Sequence, residues 1–133
     1  MPETATRYLM IGLGSAVGGM ARYWCTGIMA RVLGETFPWG TFVVNVAGCA
    51  FIGWFAGATV PEGRWFVPSL ARQFVMVGLC GGFTTFSSFS LETLRLAADG
   101  QFAKAAANVV GALVLGLAGV GLGYSVGSAW SER

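Results

Sequence analysis

The chain has 133 residues, of which 55% are hydrophobic, 11% are charged and 21 are glycine. Soluble domains carry about a quarter charged residues. The composition is therefore that of a membrane protein, with room for four spans of about 20 residues and short loops but none for a separate soluble domain. The net charge of +2 is too small and scattered for nucleic-acid binding. The absence of histidine removes the commonest metal ligand and neutral-pH base.

The three cysteines, Cys25, Cys49 and Cys80, lie far apart without CxxC spacing. They read as small apolar helix residues, not as a metal site or disulfide framework. The first apolar run is long and flows into Arg22 and Arg31 without a small-residue cleavage site, so no cleavable signal peptide is expected.

Span one is expected over about 7–30. Gly14 and Gly18, four apart, form a small-residue face suited to close helix packing. Arg22, with Tyr23 and Trp24 beside it, either snorkels to the membrane surface or points into an aqueous vestibule that attracts anions. Residues 34–38 form the first loop. Span two is expected over about 39–60, with Pro38 suited to its start. Asn45 is its one strongly polar side chain, and Thr41 lies four residues earlier on the same face. An amide in hydrocarbon needs partners. Asn45 is then either a tie between helices or a donor to a dehydrated anion.

Residues 61–68 form the second loop, and Trp65 and Phe66 suit the interface. Span three is expected over about 69–97. Its centre, Val77 to Ser90, reads VGLCGGFTTFSSFS. The adjacent Gly81 and Gly82 weaken a helix interior. They are either close-packing points or a break whose freed carbonyls must face protein, water or an ion. Phe83, Phe86 and Phe89 recur at spacing three among the hydroxyls of Thr84, Thr85, Ser87, Ser88 and Ser90. A break near Gly81-Gly82 with an aromatic stripe and a hydroxyl stripe predicts a permeation or binding site. Glu92 and Arg95 follow towards the far end, and Asp99-Gly100 makes the third turn. Span four is expected over about 102–129, with Asn108 near its start and a ridge at Gly119, Gly123 and Gly127. The expected architecture is one all-α membrane domain over 1–133 with four transmembrane helices.

Four spans put both ends of the chain on one side of the membrane. Arg7, Arg64, Arg72 and Arg133 then lie on that side, and Arg22, Arg31, Arg95 and Lys104 lie on the other. The positive-inside rule gives no preference for orientation. This predicts dual topology and an antiparallel homodimer of two oppositely inserted copies.

No enzyme site is expected. The hydroxyls have no histidine base, and no carboxylate pair lies at membrane depth. A proton-coupled exporter relying on a carboxylate in its first span is disfavoured, because there is none between Arg7 and Arg31. What remains is a pore lined by hydroxyls, an amide and phenyl rings, with arginines near the mouths. A phenyl ring is positive at its edge, and a lining without fixed carboxylates does not favour cations. The residues alone thus reach a small anion or a small neutral solute. A dual-topology small-solute transporter or a structural membrane subunit stays open as the alternative.

Three motifs carry a resemblance to a known family. GLCGGFTTFSSFS resembles the central motif of the Fluc (CrcB) fluoride channels, GFxGGxTTFSTF. GLGSAVGGMARY in span one resembles that family's GGxxGAxxRY, and PWGTFVVNVAG at span two resembles its PWGTxxVNxxG. Together they cover nearly the whole chain. The resemblance implies a passive, fluoride-selective channel that exports cytoplasmic fluoride through two pores. The channel would be an antiparallel dimer in the bacterial plasma (inner) membrane. It implies that Phe86 and Phe89 line the fluoride path with Asn45, Thr41, Thr85 and Ser88, and that Arg22 stands near the vestibule. It also implies that backbone carbonyls of Gly81 and Thr84 hold a structural Na+ at the dimer interface. Glu92 matches the acid after the central motif. Ser88 stands where the family usually has threonine, which keeps the hydroxyl. From Asn108 to Gly116 only Asn108 is polar, where some members carry a tyrosine and serines.

Overall fold

The computed structural model describes residues 3–132. Arg133, counted above among the basic residues of the terminal side, lies outside the described residues. Every regular element among them is helical: α1 (Glu3–Leu33), α2 (Trp39–Ala58), α3 (Ser69–Gln73), a π-helical stretch (Phe74–Cys80), α4 (Gly81–Phe83), α5 (Phe86–Ala98) and α6 (Phe102–Ser131). Three segments are long and apolar enough to cross a membrane: Trp39–Ala58, Ser69–Ala98 and Phe102–Ser131. α1 has the length, at 31 residues, but Arg7, Arg22, Arg31 and its many small residues dilute its hydropathy.

The turns follow from local chemistry. α1 stops at Gly34, whose φ of +78° favours glycine. α5 stops before Gly100, at φ +74°. There the amides of Gly100 and Gln101 donate to the carbonyls of Ala97 (3.0 Å) and Leu96 (2.8 Å).

Glycine ridges set the packing. Gly14 and Gly18 lay α1 against the third helical run. A Cβ on Gly14 would sit 3.0 Å from the Gly78 Cα, and one on Gly18 would meet the Leu79 carbonyl and the Phe83 amide. α2 and α6 pack the same way: a Cβ on Gly53 would meet Val120, one on Gly57 would meet Tyr124, and one on Gly127 would meet Trp54 and Ala58. In both pairs higher numbers meet higher numbers, so each pair runs parallel. Backbones approach this closely only where no side chain intervenes.

Polar ties close the two ends. Lys104 Nζ donates to the Thr36 carbonyl at 3.0 Å. At the other end the Arg64 amide donates to the Ser131 carbonyl at 3.2 Å, and the Arg72 guanidinium donates to the Thr59 carbonyl and hydroxyl. That places a cation at the C-terminus of α2, where carbonyls lack helical donors. The interior is thin. Val44 and Asn108 are the largest fully buried side chains, whereas Val110, Leu113, Val114 and Leu117 of α6 are more than half exposed. A soluble protein does not display so broad an apolar surface.

Gly81 and Gly82 do not break the helix. Gly81 is helical, at φ −63° and ψ −36°. The backbone leaves helical geometry three residues later, at Thr84 (φ −85°, ψ 159°) and Thr85 (φ −151°, ψ 119°). The glycines serve packing instead: a Cβ on Gly82 would meet the Ser15 backbone of α1, and Gly81 faces open space.

Candidate functional site

The extended step at Thr84 and Thr85 is held by a side chain 40 residues away in sequence. Asn45 Oδ1 accepts from the Thr85 amide at 2.7 Å, and Asn45 Nδ2 donates to the Thr85 carbonyl at 2.9 Å. The side-chain amide thus pairs with Thr85 as a second peptide would. In a continuous helix the Thr85 N–H would donate to the Gly81 carbonyl. Asn45 takes that donor, and the last helical bond is Thr84 N–H to the Cys80 carbonyl at 3.0 Å. The tie reading of Asn45 is therefore realised, with the second Nδ2 hydrogen left over.

Thr85 then starts the next helix. Its hydroxyl accepts from the Ser88 amide at 3.2 Å as the N-cap of α5. The Ser87 and Ser88 hydroxyls lie 3.3 and 3.2 Å from it. Phe86 and Phe89 follow one turn apart, ring centroids 5.7 Å apart and tilted by 44°. Phe86 is 79% exposed, and Phe89 is half-buried.

The candidate residues fall into two groups, on either side of the Asn45–Thr85 pair. Arg22, Thr41, Thr85 and Ser88 line an open cavity of about 900 Å³ at the α1–α2 loop end, together with Glu92 and Arg95. Asn45, Gly81, Thr84, Phe86 and Phe89 line a smaller, mainly apolar cavity of about 370 Å³. Arg22 Nη1 reaches the Thr84 carbonyl at 3.4 Å, so this arginine turns inward. Thr41 Oγ1 donates to Glu92 Oε1 at 2.8 Å, which commits its single hydrogen. Glu92 Oε2 is buried without a partner among the described residues.

Two ties escaped sequence reasoning. Asn108 Nδ2 donates to Thr93 Oγ1 at 2.9 Å, and Thr93 Oγ1 donates to the Phe89 carbonyl at 2.7 Å. The available signal was Thr93 itself, a hydroxyl four residues past Phe89 on the ring-bearing face. Arg72 on Thr59 carried no signal beyond a cation near a span end.

The family profile described as CrcB-like protein, Camphor Resistance (CrcB), matches residues 9–124. The chain belongs to the CrcB family. A relative from Rhodospirillum rubrum, named fluoride-specific ion channel FluC, is 55% identical over 117 residues, covering 88% of this chain and 91% of that one. A relative of the same name from Opitutus terrae is 56% identical over 117 residues, 88% of this chain and 89% of its own. One from Methylocella silvestris, again so named, is 52% identical over 125 residues, 94% and 95% of the two chains. These relatives are named as channels, not enzymes. The CrcB match spans both Asn45 and the Thr84–Thr85 step, so the clamp lies wholly within family sequence.

Proposed function

We propose that this multi-pass membrane protein is a passive, fluoride-selective channel that exports cytoplasmic fluoride across the bacterial inner membrane. The observation that carries the reading is the helix interruption at Thr84–Thr85, clamped by Asn45 and flanked by Phe86 and Phe89. It occurs in a chain whose relatives are named fluoride-specific ion channels. A dehydrated fluoride needs hydrogen-bond donors and positive edges in place of water. The spare Asn45 N–H, the Ser88 hydroxyl, which accepts from Thr85 and keeps its own hydrogen, and the rims of Phe86 and Phe89 are of that kind, and Thr85 joins them when its hydroxyl turns from Ser88 to the ion. Arg22 at the wide cavity attracts anions towards it. Thr41 joins the path when its hydroxyl turns from Glu92 to the ion.

The functional unit is two copies inserted in opposite orientations, each crossing the membrane four times, α1 included. The balanced basic residues support dual insertion. The exposure of Phe86 and the open space before Gly81 support a second copy as cover. The Gly81 and Thr84 carbonyls would hold a structural Na+ between the copies. Their fit is supported by the loss of the helical donor at Gly81, and the Arg22 guanidinium, 3.4 Å from the Thr84 oxygen, would have to swing away for a cation to bind there. Such an ion supplies positive charge that offsets the cost of an anion at membrane depth.

The test is anion efflux from liposomes holding the purified chain, with fluoride and chloride electrodes side by side. Rapid fluoride loss with chloride retained is expected. Retention of both, or loss of both, overturns the reading.

A further inference from the structure

We propose that Asn108, acting through Thr93, is a positioning residue for the Phe89 ring. The inference rests on the channel reading above for its functional consequence, but its structural basis is independent of it. Asn108 is 1% exposed, yet only one of its polar ends is used. The hydrogen of Thr93 Oγ1 goes to the Phe89 carbonyl at 2.7 Å. Towards Asn108 that oxygen can only accept, so the amide nitrogen must face it, at 2.9 Å. Asn108 Oδ1 is then left buried with no partner among the described residues. An orphaned buried acceptor is costly, and an apolar side chain of the same size would pack there without that cost. Stability alone does not explain an asparagine at this point.

What the amide provides is a direction. Phe86, Phe89 and Thr93 stand at i, i+3 and i+7 of α5, on one helical face. The other two polar ties of α5 run to α2: Thr85 to Asn45, and Glu92 to Thr41. The bond from Asn108 comes from α6, onto the face that bears the rings. Ties to two different helices fix the rotation of α5 about its axis. Loss of the α6 tie frees a turn of that rotation at Phe89, whose carbonyl is the end of the chain of bonds. A phenyl ring turned from edge to face presents negative rather than positive potential. A small rotation therefore changes what the ring offers an anion.

The experiment compares wild-type, Thr93→Val, Asn108→Leu and the double variant, each carrying 4-fluorophenylalanine at position 89 and, in parallel samples, at position 55. The fluorine resonance at 89 is expected to move or split in both single variants, while that at 55, on α2, stays. Fluoride efflux per folded channel is expected to fall roughly three- to tenfold, the factor that one neutral hydrogen bond is worth. The double variant should be no worse than Thr93→Val alone, since both single changes break the bond between Asn108 and Thr93. A resonance at 89 that stays put in both single variants overturns the proposal. So does unchanged efflux, or a double variant that loses the product of the two single effects. Thr93→Val, a near-isosteric change, carries the test if Asn108→Leu does not fold. If the wild-type chain itself moves no fluoride, the channel reading fails, and the resonance at 89 still decides whether Asn108 orients the ring.

Discussion

The most informative single residue is Asn45, because its side chain ends one helix at the residue that caps the next. Replacing it with leucine leaves the Thr85 amide without its acceptor in a buried position, while the Thr85 carbonyl keeps the first helical donor of α5. An orphaned buried donor costs about 1–3 kcal/mol. Asn45→Leu is expected to lower thermal stability in detergent by several degrees and to abolish fluoride efflux; a variant as stable as wild-type would show that the clamp is incidental. In the channel proposed above, Phe86 and Phe89 line the path rather than brace the scaffold. Phe86→Ile and Phe89→Ile keep apolar bulk but remove the positive edge. Fluoride efflux should drop by about tenfold or more, the effect of losing roughly 1.4 kcal/mol in the transition state, while size-exclusion chromatography still reports the wild-type assembly. Unchanged efflux in both would remove the rings from the mechanism.

Helix against helix, the glycines separate into two kinds. Those with a backbone opposite them are packing positions, and those facing open space are not. Gly18→Val drives methyl groups into the Leu79 carbonyl and the Phe83 amide. Neither atom can give way, so α1 must leave the third helical run, and no monodisperse protein is expected after detergent extraction. Gly12→Ala meets nothing within 4 Å and should leave the fold intact, raising stability by up to about 1 kcal/mol through helix propensity. Equal behaviour of the two variants would contradict the packing of α1. Only the single turn of α4 separates the π-helical stretch Phe74–Cys80 from the extended step. π turns recur at functional sites, and this one carries Gly78 against Gly14.

For the assembled molecule the question is orientation. The balanced basic residues predict insertion without an electrostatic preference. A reporter fused to the C-terminus should give signal from both faces of the membrane. Adding three lysines to the 61–68 loop should bias all copies one way and reduce fluoride efflux to near background. Co-expression with a copy carrying three extra lysines in the 34–38 loop should restore it. A reporter seen on one face only, or full efflux from the biased copy alone, would exclude an antiparallel pair.

Some of this was legible in the chain itself. Composition and long apolar runs are local properties, so the membrane class, the helical content and the approximate helix limits could be read without a structure. The turns at Gly34 and Gly100 were equally local, because a positive φ selects glycine. The three motifs pointed to the family that the profile match bears out. The interruption in the third run was misread by three residues, and the reason is physical. Glycine permits a break but does not compel one, and close packing on Ser15 keeps Gly82 helical. The helix ends where its Thr85 donor is taken by Asn45. Such a choice depends on which side chain arrives from 40 residues away, as do the committed hydrogen of Thr41 and the buried amide of Asn108. Burial and periodicity are written residue by residue along the chain; the partner that wins a hydrogen bond is decided only once the helices have met.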